Sequence, residues 1–277
     1  MPFTKDRFGV PIADLVTFNI SLDQFEDVKR DIKFGALVNF GSAEGTLWTG
    51  NNGLYDWIPD GDAAIPMFVA STSSNDTLTG SGAQKLRVTS QGVDRLEITQ
   101  DIELNGLTPV PVPIPIFRTY RQEVTQTGDG TGATVSANGK NDGEIWTGYG
   151  TFVVGVPPTK MGHIRPGKNQ SEMGIYSVPA NKTLIVPDWI PTATAGKSVE
   201  MGLYVSAVVE GVRRPFQLRA TLYMYESAVP IPFKAPAIFR AGSDIDVRVV
   251  SSAVGTSAGV VFSQILVDNQ FFTRQER

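Results

Sequence analysis

The sequence contains no cysteine and a single histidine. Without cysteine, disulfides, thiolate metal sites and cysteine nucleophiles are excluded. One histidine excludes any site built on a histidine pair. That residue, His163, lies in "KMGHIRPG", a loop-like setting with no Gly-x-Ser-x-Gly elbow nearby, and reads as a lone surface or interfacial histidine rather than a catalytic base. Basic residues are also scarce: 24 Lys and Arg stand against 28 Asp and Glu, for a net charge of -4. No basic block interleaves with aromatics, so nucleic acid is not an expected partner. Long apolar runs are missing too. The start, "MPFTKDRFGVP", has no apolar stretch of signal-peptide length, and no later stretch is long enough to span a bilayer. The expectation is a soluble protein made in a cytoplasm, with no membrane partner.

What is present is punctuation. The 277 residues include 28 Gly and 18 Pro set between short apolar segments, the habit of all-β chains. In "LEITQDIEL", Leu96, Ile98, Ile102 and Leu104 fall on one face and Glu97, Thr99, Asp101 and Glu103 on the other. "FQLRATLYMY" alternates in the same way, with Phe216, Leu218, Ala220, Leu222 and Met224 opposite Gln217, Arg219, Thr221, Tyr223 and Tyr225. "VEMGLYVSAVV" and "DIDVRVV" follow suit. The fold class expected is all-β: an antiparallel, jelly-roll-like β-sandwich, in one piece or in two halves spanning 44–160 and 161–277.

One stretch departs from period two. "SLDQFEDVKRDIKF" pairs Ser21 with Gln24 as a capping box, repeats Leu22, Phe25, Val28 and Ile32 near helical spacing, and sets Glu26 four before Arg30. It predicts a helix over Leu22–Lys33 inside an N-terminal arm, 1–43. The stripe is narrow. The helix either packs on its own domain or docks on a neighbouring subunit.

"TPVPVPIPIF" places Pro109, Pro111, Pro113 and Pro115 at alternate positions. In a strand, all four would delete donors from one edge, leaving Val110, Val112, Ile114 and Ile116 to donate to the other. A polyproline-like connector is the alternative.

Candidate chemistry is thin. "STSSNDTLTGSGAQKLRV" has the small residues and lysine of a phosphate loop, but Gly80 and Gly82 lead into Ala83-Gln84-Lys85 and a strand, with no helix N-terminus to hold phosphate. It reads as side-chain-capped turns with glycines at positive φ. Glu97, Asp101 and Glu103 could pair as glycosidase carboxylates but read as a solvated strand face. Asp60, Asp62 and Asp129 sit in glycine-rich loops without EF-hand spacing. No catalytic, metal or cofactor residue is assigned. Tyr204, Tyr223 and Tyr225 on polar faces, with Trp57, Trp146 and Trp189 near strand ends, suggest binding or assembly. Phe25, Val28, Tyr204, Tyr223 and Tyr225 are the interface candidates.

Several phrases occur together in order: "YDW", "STSSNDTLTGSGAQKLRV", "ITQDIELNGLTPV", "GKNQS", "VPANKT" and "DIDVRV". This ordered set resembles a family of virion structural proteins of tailed, mostly marine, bacteriophages. The S-x-x-D-T-x-x-G-x-G-A turn falls on Ser73, Asp76, Thr77, Gly80, Gly82 and Ala83. L-N-G-T-T-P-V falls on Leu104 to Val110 with Leu107 replacing a threonine, and G-K-N-Q-S on Gly167 to Ser171. V-P-A-G-K-T appears with Asn181 for glycine, a residue that tolerates positive φ. The proline ladder after Pro109 departs from the family's polar stretch. The resemblance runs from about Tyr55 to Asn269. It implies a non-enzymatic virion component, a capsid decoration or head-fibre anchor, without cofactor. Its expected partners are copies of itself, a trimer being favoured, and other virion proteins such as the major capsid protein. A tail adaptor or a receptor- or glycan-binding module of the particle is the runner-up.

Overall fold

The computed structural model describes residues 27–59, 63–129, 131, 134–135, 139–194, 196–225 and 231–270. The all-β expectation holds: every paired strand among these residues is antiparallel, and helical backbone is confined to residues 269–270.

The predicted N-terminal helix is not found where it can be checked. Val28–Phe40 is a thirteen-residue strand, and Leu22 to Glu26 lie outside the described residues. Val28 and Ile32 satisfy a helical repeat, but Lys33, Gly35 and Leu37 satisfy a period of two and face inward. The partner decides between them. Thr256–Asp268 pairs with this strand from Val28↔Val267 to Leu37↔Ala258, and a bulge before Phe40 ends the regular register. Tertiary pairing overrides a marginal local preference. The supposed arm is thus, from Val28 on, part of the fold.

Two sheets share one apolar core, here termed the frame. The first runs Val28–Phe40, Thr256–Asp268, Lys182–Ala193, Ile231–Phe239 in spatial order. The second runs Ile175–Ser177, Asp244–Ser251, Val199–Ser206, Gln217–Met224, with Gly45–Thr46 also paired to Asp244–Ser251. Leu37, Phe40, Trp189 and Phe262 from the first sheet meet Met201, Leu203, Ile245 and Val247 from the second. Large alternating side chains on both inner faces explain why these strands are buried on one side only.

Val208–Val209 with Val212–Arg213 makes a separate two-stranded hairpin, and the strands between Thr46 and Ile175 form two more four-stranded sheets. One runs Thr159–Ile164, Ile145–Tyr149, Phe68–Ser71, Val110–Pro111; the other Glu97–Glu103, Ala83–Gln91, Arg118–Gly128, Thr134–Val135. Val69, Leu86, Ile102, Ile145 and Ile164 fill a second core, closed by Trp48 and Ile175 at its two ends in sequence. The cores therefore divide the chain near residues 48 and 175.

The proline ladder pairs on one edge only. Val110 faces Val69, Val112 N–H donates to the Met67 carbonyl at 2.9 Å, and Ile116 N–H to that of Ile65 at 3.0 Å. Ile114 bends away and is held by the Gln100 side chain, whose Oε1 accepts from its N–H at 2.6 Å. The segment is the outer strand of its sheet.

Candidate functional site

The glycine-rich stretch that resembles a phosphate loop is a knot around a buried carboxylate. Asp76 is fully buried. Its Oδ1 accepts from the N–H groups of Ala83 (2.7 Å) and Asp142 (2.9 Å), and its Oδ2 from the Ser71 hydroxyl (2.6 Å) and Gly143 N–H (2.8 Å). Beside it, Asp142 takes the Ser73 hydroxyl and the Asn75 amide, which hold its carboxyl below the usual carboxylate range. Gly80 and Gly82 are not at positive φ, contrary to expectation. They are glycines because an added Cβ would strike the Asn75 carbonyl and Asp76 Oδ1 respectively. Three loops converge on one anion, and no room is left for a nucleotide.

The "GKNQS" phrase is a second clasp. Asn141 and Asn169 exchange backbone N–H to side-chain carbonyl bonds of 2.8 and 2.9 Å, with Asn169 at φ 57°. Ser171 brackets Gln122, accepting from its N–H at 2.8 Å and donating to its carbonyl at 2.9 Å. In "VPANKT", Asn181 is not at positive φ; the turn closes through Lys182 N–H to the Pro179 carbonyl.

His163 is a buried histidine, not a surface one. Its ring stacks on Trp146 at 3.8 Å and 17°, and Nδ1 lies 2.8 Å from the Thr49 hydroxyl. Burial pushes its pKa down to about 3, so it is neutral and has no acid-base part to play near neutrality. The acidic strand face is neutralised across the sheet. Arg87 holds Asp101 at 2.8 Å and Lys85 holds Glu103 at 3.4 Å, while Glu97 accepts the Tyr120 hydroxyl at 2.9 Å. Among the described residues no group of three or more His, Asp or Glu side chains could hold a metal; Asp60 and Asp62 lie outside them. Asp129 caps its own turn through Thr131.

The interface candidates separate. Phe25 lies outside the described residues, and Val28 is half-buried at the start of the first strand. Tyr204 is tied down: its hydroxyl donates to Glu44 at 2.9 Å and the Arg248 guanidinium sits 4.5 Å from its ring. Trp146 and Trp189 are core residues. Only Tyr223 and Tyr225 stand free, 73 % and 63 % exposed, on the outer strand Gln217–Met224 and just beyond it. Leu218 is 49 % exposed because a bulge at Arg219 lets Tyr204 oppose Leu218 and Leu203 oppose Ala220, turning it off the core face. Alongside lies an open groove of about 770 Å³, lined by Leu203, Val205, Val208, Val209, Ile238 and Phe239. Val208 and Val209 belong to a hairpin turned by Glu210 and Gly211, both at positive φ.

Comparison with known proteins adds little. No family model matches the chain, and no curated protein does. Structures of the infectious bursal disease virus Gx strain and of a VP2 subviral particle of that virus align over 87 % of this chain at 10 % identity, covering 76 % and 72 % of theirs, each with a TM-score of 0.21. Likeness that slight carries no argument.

Sequence reading missed the joint between the two cores. Arg118, from the inserted sheets, is buried and grips Asp244 of the frame with Nη2–Oδ2 at 3.0 Å and Nε–Oδ1 at 3.3 Å. Asp244 also takes Arg213 of the hairpin at 3.0 Å and the Ser177 hydroxyl. The Phe117 ring lies 3.8 Å from the Arg118 guanidinium. The available signal was "DIDVRV", whose alternation puts Asp244, Asp246 and Arg248 on one face, a charge density unusual for a buried strand.

Proposed function

We propose that this chain is a non-enzymatic structural component of a virus particle: a capsid decoration or head-fibre anchoring protein of a tailed-phage virion. Strand order is the observation that carries the reading. Leaving aside the two-residue Gly45–Thr46, the eight frame strands, numbered along the chain from Val28–Phe40 to Thr256–Asp268, lie in the orders 1-8-3-6 and 2-7-4-5. Each outer pair sums to nine, as when one long antiparallel ribbon is rolled up from its open end. That is the order of a jelly roll, an architecture used by viral capsid proteins, lectins and cupins. We therefore read the frame as a jelly roll carrying the inserted sheets between its first and second strands. Fold alone does not fix function. Three further features support the structural reading: the Asp76 knot and the Arg118–Asp244 pair find their partners within the chain, one histidine cannot supply a cupin metal site, and the ordered motifs resemble phage virion proteins.

In this reading the protein self-associates, a trimer being favoured, and contacts other virion proteins such as the major capsid protein, within the virion. Tyr223, Tyr225 and the exposed Leu218 are the surface offered. Mass spectrometry and localisation in purified particles test it. The chain should be found in multiple copies at fixed sites; its absence from particles overturns the proposal.

A glycan-binding module is the second reading, favoured by one observation: exposed Tyr223 stands directly across from Glu200, an aromatic beside an acid. Glycan-array binding lost on Tyr223→Ala, without loss of particle incorporation, would favour it.

A further inference from the structure

A cavity of about 210 Å³ lies where the frame meets the inserted sheets. Two buried polar side chains open into it from the frame. Gln264 is fully buried, and neither its Oε1 nor its Nε2 has a hydrogen-bond partner. Lys33, 6 % exposed, donates to the Tyr120 carbonyl of the inserted sheets. Asp31 and Gln264 face each other across the strand pair, and Lys33 is the next inward residue.

The charges facing Lys33 are largely spent. Asp31 is held by Arg121 at 2.8 Å, and Arg87 serves Asp101 at 2.8 Å and Glu123 at 3.8 Å. Glu97 is engaged by the hydroxyls of Tyr120 at 2.9 Å and Tyr176 at 3.5 Å. Lys29, exposed at the rim, adds another positive charge. The lining carries four cations (Lys29, Lys33, Arg87, Arg121) and three carboxylates (Asp31, Glu97, Glu123), and Asp101 just outside it takes up Arg87, so Lys33 has no carboxylate in direct contact. A buried ammonium without a carboxylate and a buried amide without a partner are each costly unless something satisfies them.

We propose that this cavity is a binding site for a small oxyanion, held by the Lys33 ammonium and the Gln264 amide N–H. Both donors come from the frame, and the cavity is roofed by the inserted sheets, so an occupying anion is enclosed at their boundary. Burial, with Arg121 adding to it, lowers Lys33 to about 7 in the free protein. An oxyanion prefers the charged form, so binding takes up a proton and weakens as pH rises above that value.

Titration calorimetry on the full chain tests this, with sulfate as probe because it does not titrate over the range used. Inorganic phosphate is the second probe, and chloride at matched ionic strength the control. Saturable sulfate binding is expected at pH 6, falling about tenfold per unit above pH 7 as the ammonium is lost. Lys33→Met and Gln264→Leu should each weaken it at least tenfold. Lys33→Met removes an unpaired buried charge and should fold normally, which circular dichroism and thermal unfolding check. Lys33→Arg should retain binding but lose the pH dependence. Binding equal in wild type and both apolar variants would mean an adventitious ion only and overturn the proposal, as would heats no larger than those of chloride.

Discussion

Asp76 accepts four hydrogen bonds in a place water does not reach, from donors in three separate stretches of the chain. Replacing it with alanine strands two or more buried N–H groups at about 1–3 kcal/mol each. Asp76→Ala should therefore lower stability by roughly 3–5 kcal/mol in urea unfolding, and Asp76→Asn, which keeps the shape but turns one acceptor into a donor, should recover only part of it. His163 gives a pH signature. Its pKa is about 3 folded against 6.5 as the reference, so the unfolded chain binds the extra proton between those values. Stability from this group is complete above pH 6.5 and is lost as pH falls toward 3. Thermal unfolding of His163→Phe should show a shallower decline over that window than the wild type.

Among elements, the strand Val28–Phe40 is the sharpest case of what sequence could and could not supply. Its apolar spacing fits a helix locally, and only its thirteen-residue partner more than two hundred positions away makes it a strand. No window on the sequence contains both. The alternating strands around Glu97 and Gln217, by contrast, were legible because each carries its own period, although the Arg219 bulge, which is invisible in composition, reverses Leu218. The proline ladder was legible in part: Val112 and Ile116 donate to one neighbouring edge as expected, but only Val110–Pro111 is strand and Ile114 donates to the Gln100 side chain. The charge at Asp244 shows in the alternation of "DIDVRV", but its pairing with Arg118 does not, since an ion pair between distant strands leaves no spacing to read. Deleting residues 1–26 should leave cooperative unfolding by circular dichroism, because the deletion stops short of the first strand. Deleting 1–42 removes Leu37 and Phe40 from the frame core and should abolish it.

At the scale of the molecule, the two cores are joined by aromatic contacts, Tyr120 on Tyr176 and Trp57 on Phe216, and by polar ones. The Arg118–Asp244 pair is buried, so breaking one partner leaves an uncompensated charge at a cost of about 3–5 kcal/mol. Arg118→Ala should split calorimetric unfolding into two transitions, where the wild type gives one. A buried pair of this kind fixes how the units meet more than it adds stability. Lys33, Gln264 and the tyrosines holding Glu97 extend that joint along the same boundary.

The pairing of Val28–Phe40 with Thr256–Asp268 also sets a schedule on the ribosome. The inserted sheets draw all their strands from a continuous run and can close their core as soon as that run emerges. The first frame strand must wait, unpaired, until a strand more than two hundred residues downstream emerges. The edge strand bearing Tyr223 pairs only with Val199–Ser206 and can form early as a local hairpin, while the next strand of its sheet, Asp244–Ser251, arrives later. The frame thus closes last, around inserted sheets whose own core is already folded.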